Sequence, residues 1–453
     1  MRFRVIRVAC NARGILKTMN ARIAFAVIPC LALLLACSES KPASAAASPV
    51  AAPAAGSTAT QQPAAAPPAQ PQTPAGPARP AMRFNAERTM QYTREIVAFG
   101  PRYNGTAALE VVMAALSVGP GDEVIVPDFT FIATASAVLF TGALPVMVDV
   151  LPDTYCIDPD LVEAAITPRT KAIIAVHMGG HPADLDRLAK IAREHGIALV
   201  EDSSHAHGSE WHGRRIGTFG NAATFSFQSS KLMTAGEGGI IITNEDEVER
   251  LARSVHDCGR MPGEWFYSHF IYGSNYRLSE WQGAVLGVQL TRLEEQTARR
   301  HKNARLLDGV LIEIEGITPQ KLSPQCTRNG QYAYIFHVDR NTFAGITTEK
   351  FIAAMNAEGI PNQASYPPVH ALHVFKSGEY RKKLTGRQAE EPHPFLKKNF
   401  PETHRAAWET VWIPQPALLG DEEDMHEIAT ALKKIQAHAG ELAAASPAVR
   451  ETA

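Results

Sequence analysis

The stretch VEDSSHAHGS at residues 200–209, followed by FSFQSSK at residues 225–231, carries the strongest signal for the fold. The first stretch begins inside a short apolar run that turns polar at Asp202. The second places Lys231 just past another strand-like run and ahead of the glycine-rich turn GEGG. Short apolar runs bounded by polar and glycine-rich segments predict buried strands, with Lys231 presented into a cleft.

The surrounding sequence alternates between β-branched runs and helical stretches. Strand-like runs lie at residues 123–127, 145–149, 171–178, 198–202, 223–228 and 239–243. Helical stretches lie at residues 132–141, 159–166 and 185–195, and a long one runs from residue 278 into 299–307. Continuous apolar strands separated by helices imply an α/β fold with a mainly parallel sheet covered on both faces.

The pattern changes from residue 332 to that of a smaller α+β unit. It contains a strand at 334–338 and helices near 348–358 and 422–438. We therefore predict a large α/β domain and a small C-terminal α+β domain, with a cofactor in the cleft between them. The predicted segments are a signal-like region (1–40), a disordered Ala/Pro linker (41–81), a leader (82–103), the large domain (104–325), the small domain (326–440) and a tail (441–453).

The bulk composition argues against several classes of partner. The chain has 453 residues, 45% of them hydrophobic, and a formal net charge of −2, which indicates neither a nucleic acid nor an anionic membrane as partner. The six cysteines form no CxxC pair, and only Cys156, Cys258 and Cys326 fall in the globular part. Such a sparse, odd set argues against a disulfide scaffold or a zinc cluster.

The N-terminus carries an export-like pattern. Basic residues up to Arg22 precede an apolar run at 23–36 that is shorter than the about 20 residues needed to cross a bilayer. The run fits a secretory signal, and LLAC at 34–37 resembles a bacterial lipobox, with Cys37 as the lipid anchor. Met19 would then be the start. The alternative is a fortuitous apolar stretch in a wrongly assigned reading frame.

Lys231 and Asp202 are the main candidates for chemistry. A lysine amine in a cleft can form a Schiff base with an aldehyde cofactor, whereas the alternative is a surface lysine in a polar loop. A carboxylate at a strand end can pair with a pyridinium nitrogen, whereas the alternative is a helix N-cap. His205 is expected either to contact a ring hydroxyl or to be a polar residue at the sheet edge.

Two upstream segments suit the rest of such a cofactor. In NGTAAL, Gly105 and Thr106 open a helix whose backbone N–H groups can approach a phosphate, although many helices begin in this way. Phe129 and Phe131 offer a ring to stack on a flat cofactor, and core packing is the alternative for each.

The order of these motifs resembles that of fold-type I pyridoxal-phosphate (PLP) enzymes: a phosphate turn, an aromatic residue, a strand-end aspartate and a lysine in a glycine-rich turn. The amino-acid sequence of these motifs resembles the DegT/DnrJ/StrS family of sugar aminotransferases over residues 104–439. The runs that carry the likeness include NGTAAL, GPGDEVIVPDFTFIATA, PVMVDV, AITPRTKAIIAVH, PADLD, VEDSSHAHGS, FSFQSSK, GEGG and GSNYRLSEWQGAVL.

This resemblance implies a role for each candidate residue. Lys231 matches the family's Schiff-base lysine and Asp202 its partner of the pyridine nitrogen. The other matches are His205 near the ring hydroxyl, Gly105, Thr106 and Ser226 in the phosphate cradle, Phe131 as the stacking ring, and Asn275 toward the phosphate of the neighbouring subunit. The resemblance therefore implies a homodimer. His177 and His181 are spaced like metal ligands, but their loop resembles a family loop, so no metal is expected.

The leader departs from the family pattern. Residues 82–103 resemble the start of exported zinc aminopeptidases and glutaminyl cyclases, so the chain reads like a fusion of two genes. No peptidase activity is expected, because that enzyme's metal-binding residues would lie beyond the join. Loss of the aminotransferase's own N-terminal segment puts dimerisation and substrate binding in question.

The resemblance implies a transamination that serves amino-sugar, polysaccharide or secondary-metabolite biosynthesis. Glutamate or glutamine would be the donor, and a keto sugar or cyclitol ketone the acceptor; SYPPVH at 365–370 and WIPQP at 412–416 resemble members that act on cyclitol ketones or aminohydroxybenzoate precursors. A PLP lyase or dehydratase is a rival that Lys231 argues against, because the family's dehydratases have histidine there. A membrane-tethered, non-catalytic or regulatory PLP-binding protein is another, since the N-terminus predicts export and the family predicts the cytoplasm.

Overall fold

The computed structural model describes residues 97–99 (backbone only), 106–378, 380 and 398–445. They belong to one compact unit within Ala86–Ala453. The predicted signal, the linker, Cys37, most of the leader and Gly105 lie outside the described residues.

The larger sheet has seven strands in the order β1-β9-β8-β5-β4-β2-β3. Its strands are β1 (Val97–Phe99), β2 (Glu123–Pro127), β3 (Leu144–Val148), β4 (Thr170–Val176), β5 (Ala198–Asp202), β8 (Ala222–Ser226) and β9 (Gly239–Thr243). Four neighbouring pairs run parallel, and the two pairs that involve β9 run antiparallel. The mainly parallel sheet predicted from the continuous apolar runs is therefore confirmed.

Helices cover both faces of this sheet. They are α1 (Thr106–Ala115), α2 (Ala133–Phe140), α3 (Pro159–Ala164), α4 (Leu185–His195) and α5 (Asp246–His256). Along β2, Val124 and Val126 join the apolar cluster under α1, α2 and α5, whereas Ile125 joins the cluster under α3 and α4. Because successive side chains of a strand point to opposite faces, two helical layers make every residue of β2 buried.

A second sheet, antiparallel throughout, has the order β10-β12-β14-β13. Its strands are β10 (Ile317–Pro319), β12 (Ala333–Val338), β13 (Gln363–Ala364) and β14 (Thr410–Pro414). The remaining helices are α6 (Glu280–Leu311), α7 (Thr348–Ala357), α8 (His373–Lys376), α9 (Pro401–Glu409), α10 (Glu422–Ala437) and α11 (Ala439–Ala444). The end of α6 packs with α7 and α10 on this sheet, which confirms the smaller α+β part.

The domain boundary at residue 325 stays a prediction. A small third sheet pairs β11 (Cys326–Arg328) with β6 (Glu210–Trp211), which in turn pairs with β7 (Arg214–Arg215). Strand β11, assigned from the sequence to the small domain, thus hydrogen-bonds to a strand of the large one. Among the helices that the structure describes, none is both long enough and apolar enough to cross a membrane.

Candidate active site

A cavity of about 230 Å³ opens where the parallel strands end. Its walls come from the last residues of β4, β5 and β8, from the first residue of α1, and from segments next to the second sheet. The lining residues are Thr106, Leu109, Thr130, Phe131, Ala133, Val176, Asp202, Ser204, His205, Ser226, Gln228, Ser230, Lys231, Tyr332 and Tyr366. The carboxyl ends of parallel strands are the usual ligand-binding edge of such sheets.

Lys231 faces this cavity from the turn after β8. The turn is closed by the Lys231 N–H, which donates to the Gln228 carbonyl oxygen at 2.9 Å. Burial lowers the pKa of the Lys231 amine to about 8, against the opposing effect of the Asp202 carboxylate. An amine with this pKa exists in both protonation states near neutral pH, so it can accept and donate a proton.

Asp202 ends β5, and its two oxygens accept hydrogen bonds from different elements. Oδ2 accepts from the Thr134 hydroxyl at 2.9 Å, and Oδ1 accepts from the Ser204 hydroxyl at 2.7 Å. The alternative role as a helix N-cap is wrong, because residues 203–209 form turns and no helix. The bonds instead hold the carboxylate in one orientation at the cavity wall.

Thr134 is a site residue that the sequence analysis missed. It is fully buried in α2, and its hydroxyl lies 2.9 Å from that of Thr130. Thr130 precedes α2, so helical spacing does not relate the two threonines, and no local pattern of the sequence indicated this contact.

His205 lies between the cavity and two tyrosines. Its ring stacks on Tyr332 with centroids 4.0 Å apart, and its Nε2 is 3.3 Å from the Tyr366 hydroxyl. Burial, then the charge of Lys231, lower its pKa well below the usual value, so the imidazole is neutral. His205 Nδ1 is buried and has no hydrogen-bond partner among the described residues.

The other predicted cavity residues divide into two groups. Thr106 opens α1 and Ser226 ends β8, and both line the cavity, so a helix N-terminus and a strand end meet there. Phe131 lines the cavity and is 48% exposed, whereas Phe129 is fully buried and packs edge-on against Trp412. The core-packing alternative is therefore confirmed for Phe129.

Asn275 is not brought to the cavity of its own chain. It lies exposed in the loop before α6 and pairs with Asp257 through an isolated β-bridge. His177 and His181 each hydrogen-bond to protein groups: His177 Nε2 lies 3.3 Å from a Glu201 oxygen, and His181 Nε2 accepts from the Ser323 N–H at 3.0 Å.

The donor set of the cavity fits PLP. Asp202 would supply a fixed carboxylate for the ring nitrogen, and Lys231 would supply an amine for the aldehyde carbon. The unpartnered, buried Nδ1 of His205 belongs to a ring that lines the same cavity, where a polar group of a ligand would satisfy it.

Comparison with known proteins shows what this fold and site are similar to. An L-glutamine:2-deoxy-scyllo-inosose aminotransferase from Streptoalloteichus tenebrarius is 39% identical over 376 residues, which covers 80% of this chain and 88% of that protein. A 3-amino-5-hydroxybenzoate synthase from Amycolatopsis mediterranei is 40% identical over 332 residues, which covers 72% of this chain and 82% of that protein. The crystal structure of a 3-amino-5-hydroxybenzoic acid synthase matches with a TM-score of 0.67 and 38% identity, covering 76% of this chain and 86% of that one.

The sequence pattern of the DegT/DnrJ/EryC1/StrS aminotransferase family matches residues 93–433 of this chain. The match begins inside the segment 82–103, and these comparisons give no support to the expected resemblance of that segment to exported peptidases. The expected aminotransferase resemblance is confirmed over most of the chain: this protein belongs to the DegT/DnrJ/EryC1/StrS aminotransferase family.

Proposed function

We propose that this aminotransferase moves the amino group of L-glutamine or L-glutamate to a cyclitol ketone or a related keto sugar, using PLP. The observation that carries the proposal is that Lys231, from the turn after β8, and Asp202, from the end of β5, line one cavity. The relatives support the choice of substrates, since one is named for L-glutamine and 2-deoxy-scyllo-inosose.

The residues that would hold PLP are those of the cavity wall. Asp202 would pair with the ring nitrogen, Phe131 would face the ring, and His205 would contact the ring hydroxyl. Thr106 and Ser226 would hold the phosphate, with Gly105 beside them as the family resemblance implies. When bound, PLP supplies an electron-withdrawing ring that stabilises negative charge on the carbon next to the amino nitrogen.

Lys231 is the proton carrier in this proposal. Its neutral amine accepts the proton from the Cα atom of the amino donor, and the resulting ammonium group passes that proton on to complete the donor half-reaction. The same two proton transfers run in reverse when the acceptor is aminated. Asp202 keeps its place during these transfers, because Thr134 and Ser204 hold its two oxygens. His205 stays neutral, so it can accept or donate a hydrogen bond without adding charge beside the ammonium group.

Several residues that line the cavity carry groups that can bind hydroxyls. Gln228, Ser230, Tyr332 and Tyr366 contribute an amide and three hydroxyl groups to the lining. Such groups donate and accept, as the hydroxyls of a polyhydroxylated ring do. This composition favours an uncharged ring ketone as the acceptor.

We infer further that two copies of the chain pair and that Asn275 reaches the phosphate site of the partner. Trp281, Val285 and Val288 form an exposed apolar stripe at helical spacing on α6. The loop before α6 exposes further aromatic side chains: Trp265, Phe266, Tyr267, Phe270 and Tyr272. Exposed apolar surface of this extent is typical of a protein interface.

The pairing is tested by analytical ultracentrifugation of Trp281→Glu. We expect the variant to dissociate at concentrations at which the wild type is a dimer, because a charge then lies in an apolar contact. Trp408→Glu is the matched control, since Trp408 is also exposed but belongs to α9. A monomeric wild type would contradict the inference.

The reaction is tested with the full-length protein reconstituted with PLP. We expect an absorbance band at the boundary between the ultraviolet and the visible range. L-glutamine or L-glutamate should bleach this band, and Lys231→Ala should lack it. Addition of 2-deoxy-scyllo-inosose should then restore the band and yield an amine detectable by mass spectrometry. A protein that binds no PLP would instead favour the non-catalytic alternative.

A further inference from the structure

We propose that Tyr332 is a positioning residue for Lys231: its ring holds the protonated amine in the cavity, and its hydroxyl orders the turn that carries the lysine. The role of Lys231 as the proton carrier rests on the aminotransferase function proposed above. The contacts of Tyr332 stand independently of it.

The ring of Tyr332 lies where it can stabilise a positive charge. Lys231 Nζ lies over the ring, 4.4 Å from its centroid, within the range of a cation–π interaction. The ring also stacks on His205 with an angle of 14° between the planes. Since His205 is neutral, this second contact fixes the ring without repelling the ammonium group.

The hydroxyl of Tyr332 bonds to the turn that precedes Lys231. It lies 3.0 Å from the Ser230 hydroxyl, which itself donates to Gln228 Oε1 at 2.6 Å. Because a serine hydroxyl has a single proton, Tyr332 must then be the donor to Ser230. The Ser230 N–H also donates to Gln228 Oε1, at 2.8 Å, so the phenol closes a network on residues 228–231.

The backbone of Tyr332 is held by segments that do not include Lys231. Its N–H donates to the Gly179 carbonyl oxygen at 2.9 Å, and its carbonyl oxygen accepts from the Gln415 N–H at 3.2 Å. Gly179 has φ +68°, and a Cβ there would lie 2.8 Å from the Ile335 side chain, so a residue with a side chain would be strained at this position. The backbone that carries the ring is therefore held by contacts that do not involve Lys231.

Among the described groups around Lys231, Asp202 and the Tyr332 ring are the ones that favour the protonated amine. Burial lowers the pKa of this amine to about 8, and Asp202 raises it. His205 and His207 are neutral because burial lowers the pKa of each, and Tyr366 is neutral because burial raises its pKa well above the usual value. The Tyr332 ring acts in the same direction as Asp202, so its removal should lower the pKa of Lys231 further.

The ring is tested by trace labelling of the full-length protein, freed of PLP, with acetic anhydride across a pH series. The extent of labelling at Lys231 is read by peptide mass spectrometry, with Lys231→Ala to identify the peptide. We expect a midpoint near 8 in the wild type. In Tyr332→Leu and Tyr332→Met it should fall by about one pH unit, whereas Tyr332→Phe should stay close to the wild type.

Either of two results would overturn the role of the ring. One is an unchanged midpoint in the folded Leu and Met variants; the other is an equal fall in all three. Thermal unfolding of each variant identifies those that fold, and the Met variant replaces the Leu variant if the latter does not.

The hydroxyl is tested separately by amide hydrogen exchange of the peptide that covers residues 225–233. Tyr332→Phe and Ser230→Ala should each speed exchange several-fold, and the double variant should be no faster than either single one. Unchanged exchange in Tyr332→Phe would reject this part. Neither test uses substrate, so a protein that shows both effects but no transamination would retain the inference and reject the proposed function.

Discussion

Glu201 is a fully buried carboxylate beside Asp202 in β5, and four donors converge on it. Its Oε1 and Oε2 accept backbone N–H groups at 2.7–2.8 Å, from Gly217, Phe219 and Gly220. His177 Nε2 lies 3.3 Å from Oε2, and His177 Nδ1 accepts the Ala183 N–H, so Nε2 is the atom that carries the proton toward Glu201. Substitution of this carboxylate by an amide, Glu201→Gln, keeps the shape and removes half of the acceptors.

The cost follows from a count of donors. The single oxygen of glutamine can satisfy two of the four donors, and its NH₂ group then faces the other two. A buried donor left without a partner costs about 1–3 kcal/mol, so two of them should lower the free energy of unfolding by about 2–6 kcal/mol. Glu247→Gln is the control, because Glu247 lies exposed in α5 and should leave the unfolding midpoint unchanged.

Urea unfolding at neutral pH measures this difference. Burial raises the pKa of Glu201, but the bonds from His177 and the backbone outweigh it, so its pKa in the folded protein is lowered. The stabilisation is therefore complete above the ordinary carboxyl pKa and is lost as the pH falls through the lower folded value. The difference between wild type and Glu201→Gln should narrow in acid. A loss smaller than about 1 kcal/mol at neutral pH would refute the reasoning.

Three further predictions concern the cavity. Thr134→Val removes one hydrogen bond from the Asp202 carboxylate and should weaken PLP binding by about 10–100-fold in equilibrium dialysis, whereas Thr134→Ser should not. The rate of the donor half-reaction should rise with pH as the Lys231 amine loses its proton, because burial lowers the pKa of this amine; a flat profile from pH 6 to 9 would contradict this. Phe131→Ala should weaken PLP binding by about 2–10-fold at unchanged stability, whereas Phe129→Ala should cost about 3–5 kcal/mol in urea unfolding.

Much of the fold could be predicted because its strands are buried on both faces. The runs 123–127 and 198–202 coincide with β2 and β5, because consecutive apolar residues within each run favour a strand buried between two layers of helices. Asp202 and Lys231 could be assigned to one site because Asp202 ends one strand of this sheet and Lys231 follows another. The end of a strand was harder to predict where a glycine turn follows it. The run predicted to reach residue 178 ends at Val176 in β4, and the turn that follows requires Gly179 at φ +68°.

The remaining parts of the site depend on contacts distant in sequence. Thr134 meets Asp202 across 68 positions, and no local pattern of α2 indicates which side chain it will reach. Phe129 and Phe131 are equivalent in the sequence, and only the packing of Trp412 shows which is core. Asn275 lies outside its own cavity, so its role requires knowledge of a second copy of the chain.

The chemistry of Lys231 and the basicity of its amine are set by different parts of the chain. The strand order brings Asp202 to Lys231, and the motif order therefore predicts the type of reaction. The ring that faces the amine is placed by Gly179 and Gln415, which touch the backbone of Tyr332 and do not line the cavity. A residue with a side chain at Gly179 would strain this segment and should alter the pKa of Lys231 without altering any lining residue. The pKa of this amine should therefore depend on packing outside the cavity wall as well as on the residues that line it.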